Sequence, residues 1–352
     1  MSKLEQNNQG DKSITSDFSQ QTANLNTDKE RSILLTISIV IIGDSSFIIP
    51  CLESIEAQTE TPYELYLVTN QTSASLITRL QSLFPYIKII QRQQRHSFAA
   101  NHNQVLQQCQ GDYVLLLNDD TVIINGALDK MLAYFTEGER QLGIVGCTNL
   151  DQHHNFTLSC YPFPSIKTII WQHAALFRWF PGKLYERYLA QAKGDQPFVV
   201  DWVKGSCFLI CSDVVRKIGF LDEQFFLFNE EVDYCYRAKT AGYSIYQVPE
   251  AQIIHYESTT TRRFVSIKLK GHYLGKLYFL AKHGFWRDLY FVRAWFSLEL
   301  LAKSFIRAFG VMIGRPSDAR ERLNTYWNLL QICLTYRGQP AATLLHNKTK
   351  NS

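Results

Sequence analysis

No Cys-x-x-Cys pair occurs in this sequence, although eight cysteines are scattered along its 352 residues. That scatter argues against a zinc site or a disulfide framework and for buried thiols in a reducing compartment. No secretory signal opens the chain; residues 1–31 are rich in Gln, Asn, Ser, Thr and Asp, have little to bury, and are expected to form a disordered tail. No internal repeat is visible. A Gly-rich phosphate loop followed by Lys is missing near the N-terminus, which disfavours a nucleotidyltransferase. The strongly apolar stretch from Leu289 to Phe309 contains Arg293, Glu299, Lys303 and Arg307. Four charges are too many for a spanning helix, which wants about 20 mainly apolar residues.

What is present describes a globular chain: 46% hydrophobic, 19% charged and 13% aromatic residues. The net charge of +4 is unevenly spread. From Arg262 to Arg322 there are 13 Lys or Arg against four acids, so that stretch carries +9 and the rest −5. A neutral-to-acidic body therefore carries a basic C-terminal extension, whose charge alone suits anionic lipid headgroups or nucleic acid. An anionic membrane surface is expected as its partner and no nucleic acid, a choice the charge does not make. The four charges between Leu289 and Phe309 fall within about 120° at 100° per residue, a single polar stripe. Trp295, Phe296, Leu300, Phe305 and Phe309 fill the remainder. A helix lying in the bilayer surface and a helix packed on the body both satisfy that pattern.

The run Leu34 to Ile42 predicts a strand buried on both faces of a parallel sheet. Helices near 47–58, 73–83 and 97–110 alternate with strands at 64–68, 87–90 and 113–117, as βαβ units require. In such sheets ligands sit beyond the carboxyl ends of the strands, where Gly43-Asp44, Thr69-Asn70 and Asn118-Asp119-Asp120 fall. Further on, a strand-like run from Val199 to Ile210 leads to Ser212-Asp213, read as an N-cap. Glu230 to Ala241 reads as a helix, and two short strands near Ile245 and Ile253 end at His255.

Carboxylates closing an apolar strand can hold Mg²⁺ or Mn²⁺, although Asp pairs in turns are commonly solvated loop residues. Glu230-Glu231-x-Asp233 could favour a helix dipole, and Arg237 accounts for Asp233 through an i,i+4 pair. Glu230 and Glu231 are left facing the preceding loop, where crowding raises the pKa of one carboxylate and suits it to accept a proton. Trp202 offers a face for a sugar ring and Gly205 allows close backbone approach, with core packing as the alternative. His255 reads equally as a structural residue.

Taken in order, these blocks resemble glycosyltransferase family 2, and within it the rhamnosyltransferase-like group, from about Thr36 to Ser258. The resemblance rests on Ile37 to Ile42, Cys51 to Ile55, Phe98 to Gln104, Gly111 to Thr121, Val200 to Cys207, Gly219 to Phe226 and Glu230 to Asp233. It implies a GT-A fold of the α/β class, over about 32–262. A basic helical region at 263–340 and a tail at 341–352 would follow. The implied reaction is inverting transfer of rhamnose or another hexose from a nucleotide diphosphate donor to a saccharide or lipid-linked acceptor. The setting would be cell-surface polysaccharide synthesis on the cytoplasmic side, peripheral to the plasma membrane.

The implied roles follow by position. Asp120 and His255 would hold the divalent cation, with Asn118 in place of the metal motif's first acid. Glu231, with Glu230, would supply the base. Ile42, Gly43, Thr69, Asn70, Asn101, Asn118 and Asp119 would meet the donor. Trp202, Lys204 and Gly205 would line the sugar and acceptor pocket. Three departures stand out: Gly43-Asp44 for Asn-Tyr, Thr69 for an Asp that binds the base, and Glu231 for Asp. They leave open a non-catalytic subunit that kept the fold.

Overall fold

The computed structural model describes residues 35–94, 96–137, 141–173, 183–257, 265–312 and 318–346. The expected disordered tail at 1–31 lies outside them, as do Ser258, Arg262 and Arg263. The run read as a doubly buried strand is β1 (Leu35–Ile42), with Leu35, Ile37, Ile39 and Ile41 fully buried on one face. The other face buries Thr36 and Ser38, each satisfied by a distant partner. Thr36 donates to Glu64 Oε1 at 2.6 Å, and Ser38 Oγ pairs with His102 Nδ1 at 2.8 Å. Then follow α1 (Ile48–Gln58), β2 (Tyr63–Asn70), α2 (Ala74–Leu83), β3 (Lys88–Arg92), α3 (Phe98–Leu106) and β4 (Tyr113–Asn118).

The next elements are β5 (Thr121–Ile124), α4 (Ala127–Glu137), β6 (Leu142–Leu150), β7 (Phe156–Thr157) and β8 (Cys160–Tyr161). Helices α5 (Ile166–His173) and α6 (Lys183–Ala192) interrupt the Pro-rich connection. The single run expected from Val199 to Ile210 is three short strands, β9 (Phe198–Val199), β10 (Trp202–Val203) and β11 (Cys207–Cys211). The break at Lys204-Gly205-Ser206 puts those residues in a turn beside the cleft. Ser212 does not cap the next helix. Cys211 is the N-cap of α7 (Ser212–Ile218), and the Ser212 hydroxyl donates to Gly111 O at 2.6 Å. Helix α8 (Glu230–Thr240) leads to β12 (Ser244–His255), one strand where two were expected, with its register shifted between Val248 and Gln252.

The main sheet runs β3-β2-β1-β4-β11-β6-β12-β5. The first four strands are parallel, β11 is antiparallel to both neighbours, and β5 closes the edge antiparallel to β12. This mainly parallel sheet flanked by helices is the expected GT-A arrangement. The pairing of β5 with β12 sets His255 opposite Thr121, so the end of β12 meets the turn after β4.

The basic extension is helical: α9 (Val265–Lys282), α10 (Trp286–Met312), α11 (Asp318–Thr335) and α12 (Ala341–His346). Residues 341–346, expected in a tail, are thus helical. These helices share one apolar core with the sheet-bearing body, in which Phe225 and Val232 meet Leu274, Leu277, Phe279, Phe296 and Leu329. A buried ionic knot reinforces the contact. Asp233 accepts from Arg237 at 2.8 Å, as its spacing predicted, and also from His283 at 2.8 Å and Lys282 at 2.7 Å. Burial alone would raise the Asp233 carboxyl; the His283 hydrogen bond, Arg237 and Lys282 outweigh it and hold the group at about 2.

Candidate active site

The acidic turn is built before any ligand is considered. Thr121 Oγ1 donates to Asn118 O at 2.7 Å, and Asn118 N donates to Ser206 O at 3.0 Å. Tyr256 N donates to Asp120 O at 2.9 Å, tying the end of β12 to the same turn. As a result His255 Nε2 stands 3.2 Å from Asp120 Oδ1 and 3.4 Å from Asn118 Nδ2. Burial, then the neighbouring Asp120, pushes the Asp119 carboxyl up to about 6. Two crowded carboxylates of this kind are relieved by a positive charge between them.

Glu231 stands in the first turn of α8 and lines the same cavity as these groups. The preceding loop is left-handed at Phe228 (φ 67°) and Asn229 (φ 76°), a conformation that costs a non-glycine residue energy unless its surroundings hold it. Gly271 and Gly275 on α9 do the holding. A methyl at Gly271 would fall 2.5 Å from Leu227 O, and one at Gly275 would overlap the Asn229 amide and lie 2.8 Å from Phe228 O. The glycines let the helix backbone press on the loop that presents the acids. Glu230 is buried, its Oε2 without a hydrogen-bond partner, and burial followed by Glu231 raises it strongly. Half-buried Glu231 is pushed up by burial to about 7, with Lys204 pulling the other way. A carboxylate poised there accepts a proton efficiently near neutral pH.

These groups line one cavity of about 820 Å³. Of the residues singled out in the sequence, it brings together Ile42, Asn101, Asn118, Asp119, Asp120, Trp202, Lys204, Gly205, Glu230, Glu231 and His255. Gly43, Thr69 and Asn70 are not in its lining. Gly43 N donates to Asn70 O at 2.8 Å and Asp44 Oδ1 accepts from Ser73 N at 2.9 Å, so this pair braces the loop after β2. Thr69 and Asn70 are buried, and Asn70 Oδ1 accepts from His96 N at 3.3 Å. Asn101 is held by its own donation to His96 O at 3.3 Å. Trp202 donates to Pro162 O at 3.0 Å and stacks on Tyr161 with centroids 4.8 Å apart. Gly205 brings the backbone under Phe98 and Glu231, 3.4 Å and 3.9 Å from where a methyl would stand.

Sequence reasoning missed Phe98, Tyr161, Phe228, Glu257, Lys268, His272 and Lys276, all part of the lining. The last three recur at i, i+4 and i+8 on α9, a spacing that could have flagged them.

A mainly parallel sheet, an acid turn facing a histidine and a raised carboxylate in the same cavity are the parts a sugar transferase needs. The family model described as "Glycosyltransferase like family 2" matches residues 35–272. The chain belongs to this family. This glycosyltransferase is 24% identical over 252 residues to N-acetylglucosaminyl-diphospho-decaprenol L-rhamnosyltransferase of Mycobacterium tuberculosis, covering 67% of the chain and 81% of that protein. It is 26% identical over 260 residues to rhamnosyltransferase WbbL of Escherichia coli, covering 71% of the chain and 93% of WbbL. Among solved structures it resembles the mannosyltransferase PcManGT of Pyrobaculum calidifontis, determined with GDP-Man and Mn²⁺. There the identity is 14% and the TM-score 0.50, over 90% of the chain and 79% of PcManGT, a likeness of fold. The non-catalytic alternative gains no support from these comparisons.

Proposed function

We propose that this transferase moves a hexosyl group, rhamnose from dTDP-rhamnose before UDP-hexoses, onto a saccharide or lipid-linked acceptor with inversion, in cell-surface polysaccharide synthesis. The observation that carries this reading is that Glu231, raised to about 7, and the Asp120–His255 pair line one cavity. Glu231 accepts the proton of the acceptor hydroxyl as that oxygen attacks the anomeric carbon, and the nucleoside diphosphate departs on the opposite face. Glu230, buried beside it, keeps the pair's charge low.

Asp120 Oδ1 and His255 Nε2 suit Mg²⁺ or Mn²⁺, with Asn118 and Asp119 alongside. Among the described residues no group of three or more His, Cys, Asp or Glu side chains forms a ready cage, so donor phosphates and water would complete the coordination. A bound cation would neutralise the leaving diphosphate. Ile42 and Asn101 line the donor end, and Trp202, Lys204 and Gly205 the sugar and acceptor pocket. Gly43, Thr69 and Asn70 would act on the donor through the loop they brace.

The acceptor assignment draws on the diphospho-decaprenol named for the mycobacterial relative, and a lipid-linked acceptor calls for a membrane surface. No helix among the described residues is long and apolar enough to cross a membrane. Helix α10 instead exposes Leu298, Leu301, Phe305, Ile306 and Phe309, a face suited to lie on an anionic bilayer. Eight unpaired cysteines support placement at the cytoplasmic face. The domain boundary is proposed near 262, with α9 completing the site from beyond it.

Replacing Glu231 with Gln tests the reading. Transfer to the acceptor should fall by about 10²- to 10⁴-fold while dTDP or UDP with Mn²⁺ still raises the melting temperature. Transfer at the wild-type rate would remove the assigned base.

A further inference from the structure

Helix α9 brings more to the cleft than support for the catalytic loop. Gly271 and Gly275 form the stripe that presses on residues 227–229. The adjoining stripe, Lys268, His272 and Lys276, is thereby turned into the cavity that holds Glu231. At 1.5 Å per residue the row is about 12 Å long. No acid occurs between Val265 and Lys282 to neutralise it from its own helix. The His272 ring is set by parallel stacking on Phe228, 4.1 Å between centroids and 4° between planes. Lys204 lies within electrostatic reach of both Lys268 and Glu231, and all three line the same cavity.

The acids facing this end are few and mostly engaged. Glu257 pairs with Lys204 at 3.8 Å, burial and then Glu231 raise Glu230, burial raises Glu231, and Glu299 lies near Lys276 from α10. Burial draws the Lys276 ammonium down to about 8 against the pull of Glu299, so it stays mainly protonated at neutral pH. A partly buried row of cations against a cleft is an anion site by its electrostatics.

We propose that Lys268, His272 and Lys276 form a subsite for a phosphate or diphosphate group carried by the acceptor. The proposal rests on the transferase reading above and sharpens it: the acceptor is a phosphorylated glycolipid rather than a free saccharide. With the reacting hydroxyl at Glu231, the acceptor's anionic anchor reaches α9 while the donor diphosphate occupies the Asp120–His255 end.

The test uses the full chain and two probes, geranyl diphosphate and inorganic pyrophosphate, titrated calorimetrically in EDTA so that no metal-held diphosphate contributes. Both should bind the wild type, with geraniol inert, and Lys268→Gln and His272→Gln should each weaken both by about tenfold, one charge-assisted contact apiece. Lys268→Arg should restore most of the affinity, which separates charge from folding. In a parallel titration, dTDP or UDP with Mn²⁺ should bind wild type and Lys268→Gln alike. Unchanged pyrophosphate binding in Lys268→Gln, or an equal loss for the nucleotide, would overturn the subsite, the second by placing the lysine at the donor. If neither nucleotide binds the wild type but pyrophosphate does so through Lys268, the donor reading fails and the anion subsite stands.

Discussion

Helices α9 and α10 are neighbours in the chain and carry similar mixtures of apolar and charged residues, yet they use them in opposite directions. Helix α9 is buried on most sides and turns Lys268, His272 and Lys276 into the cavity. Helix α10 turns its polar stripe toward the protein. Arg293 donates to Tyr336 O at 2.9 Å, and Lys303 reaches Glu299 at 2.6 Å and the Tyr273 hydroxyl at 3.2 Å. Its exposed side is apolar: Phe305, Ile306 and Phe309 are 69%, 71% and 65% accessible. A charged stripe therefore does not mark the wet side of a helix. It marks a side with partners, which can be substrate, protein or water.

The sharpest way to break the contrast is to disturb the dry, close contact of α9. Gly275→Ala places a methyl against the Asn229 side chain and Phe228 O, so the loop before Glu231 must move. Displacement of a catalytic group on the order of 1 Å costs about 100-fold in rate. Turnover should drop by that factor, with the affinity for donor nucleotide and Mn²⁺ preserved within about threefold. Wild-type turnover in Gly275→Ala would show that α9 merely covers the cleft.

A smaller effect probes the electrostatics that α9 shares with β10. Lys204 lowers the Glu231 pKa against the upward push of burial. Lys204→Met should therefore raise it above about 7. The proposed base works only when deprotonated, so on that reading the acid limb of the kcat/KM profile should move to higher pH. At pH 6.5 the rate should fall by roughly an order of magnitude, with much less loss at pH 8.5. An equal loss at both values would assign Lys204 to binding alone.

The contrast also shows what a sequence can disclose. Strand β1 was legible because four buried β-branched or leucine side chains alternate with Thr36 and Ser38 in a run that only a doubly covered strand tolerates. The Asn118–Asp120 turn, Glu231 and His255 were legible as separate polar clusters at element ends. Their convergence on one cavity was expected only through the family resemblance, since in space it depends on β5 pairing with β12, and β5 is four residues long and follows directly on the acid turn. Strand β12 read as two strands because Pro249 and Glu250 break its alternation where the register shifts. Gly43, Thr69 and Asn70 sit at strand ends like the others but support a loop instead of lining the cavity. The orientation of α10 was illegible for a further reason. The groups that satisfy its charges, Tyr273 and the Tyr336 carbonyl, lie 30 and 43 residues away in the chain.

The smallest expected effect concerns that outer face. If α10 lies on the bilayer, its exposed side chains each contribute a partial transfer free energy, about 1 kcal/mol for a phenylalanine part-way into the interface. Phe305→Ser should weaken co-sedimentation with vesicles of phosphatidylglycerol and phosphatidylcholine by about fivefold. It should leave transfer to a water-soluble acceptor analogue unchanged, because Phe305 is far more exposed than the Phe296 and Leu300 that anchor the helix to the core. The basic surplus of the extension adds a second requirement: binding should decline with added salt and with removal of the anionic lipid. Equal sedimentation of Phe305→Ser and wild type would show that the membrane does not meet α10 there. Loss of binding together with self-association of the wild type in the absence of lipid would instead assign the apolar arc to a second copy of the chain.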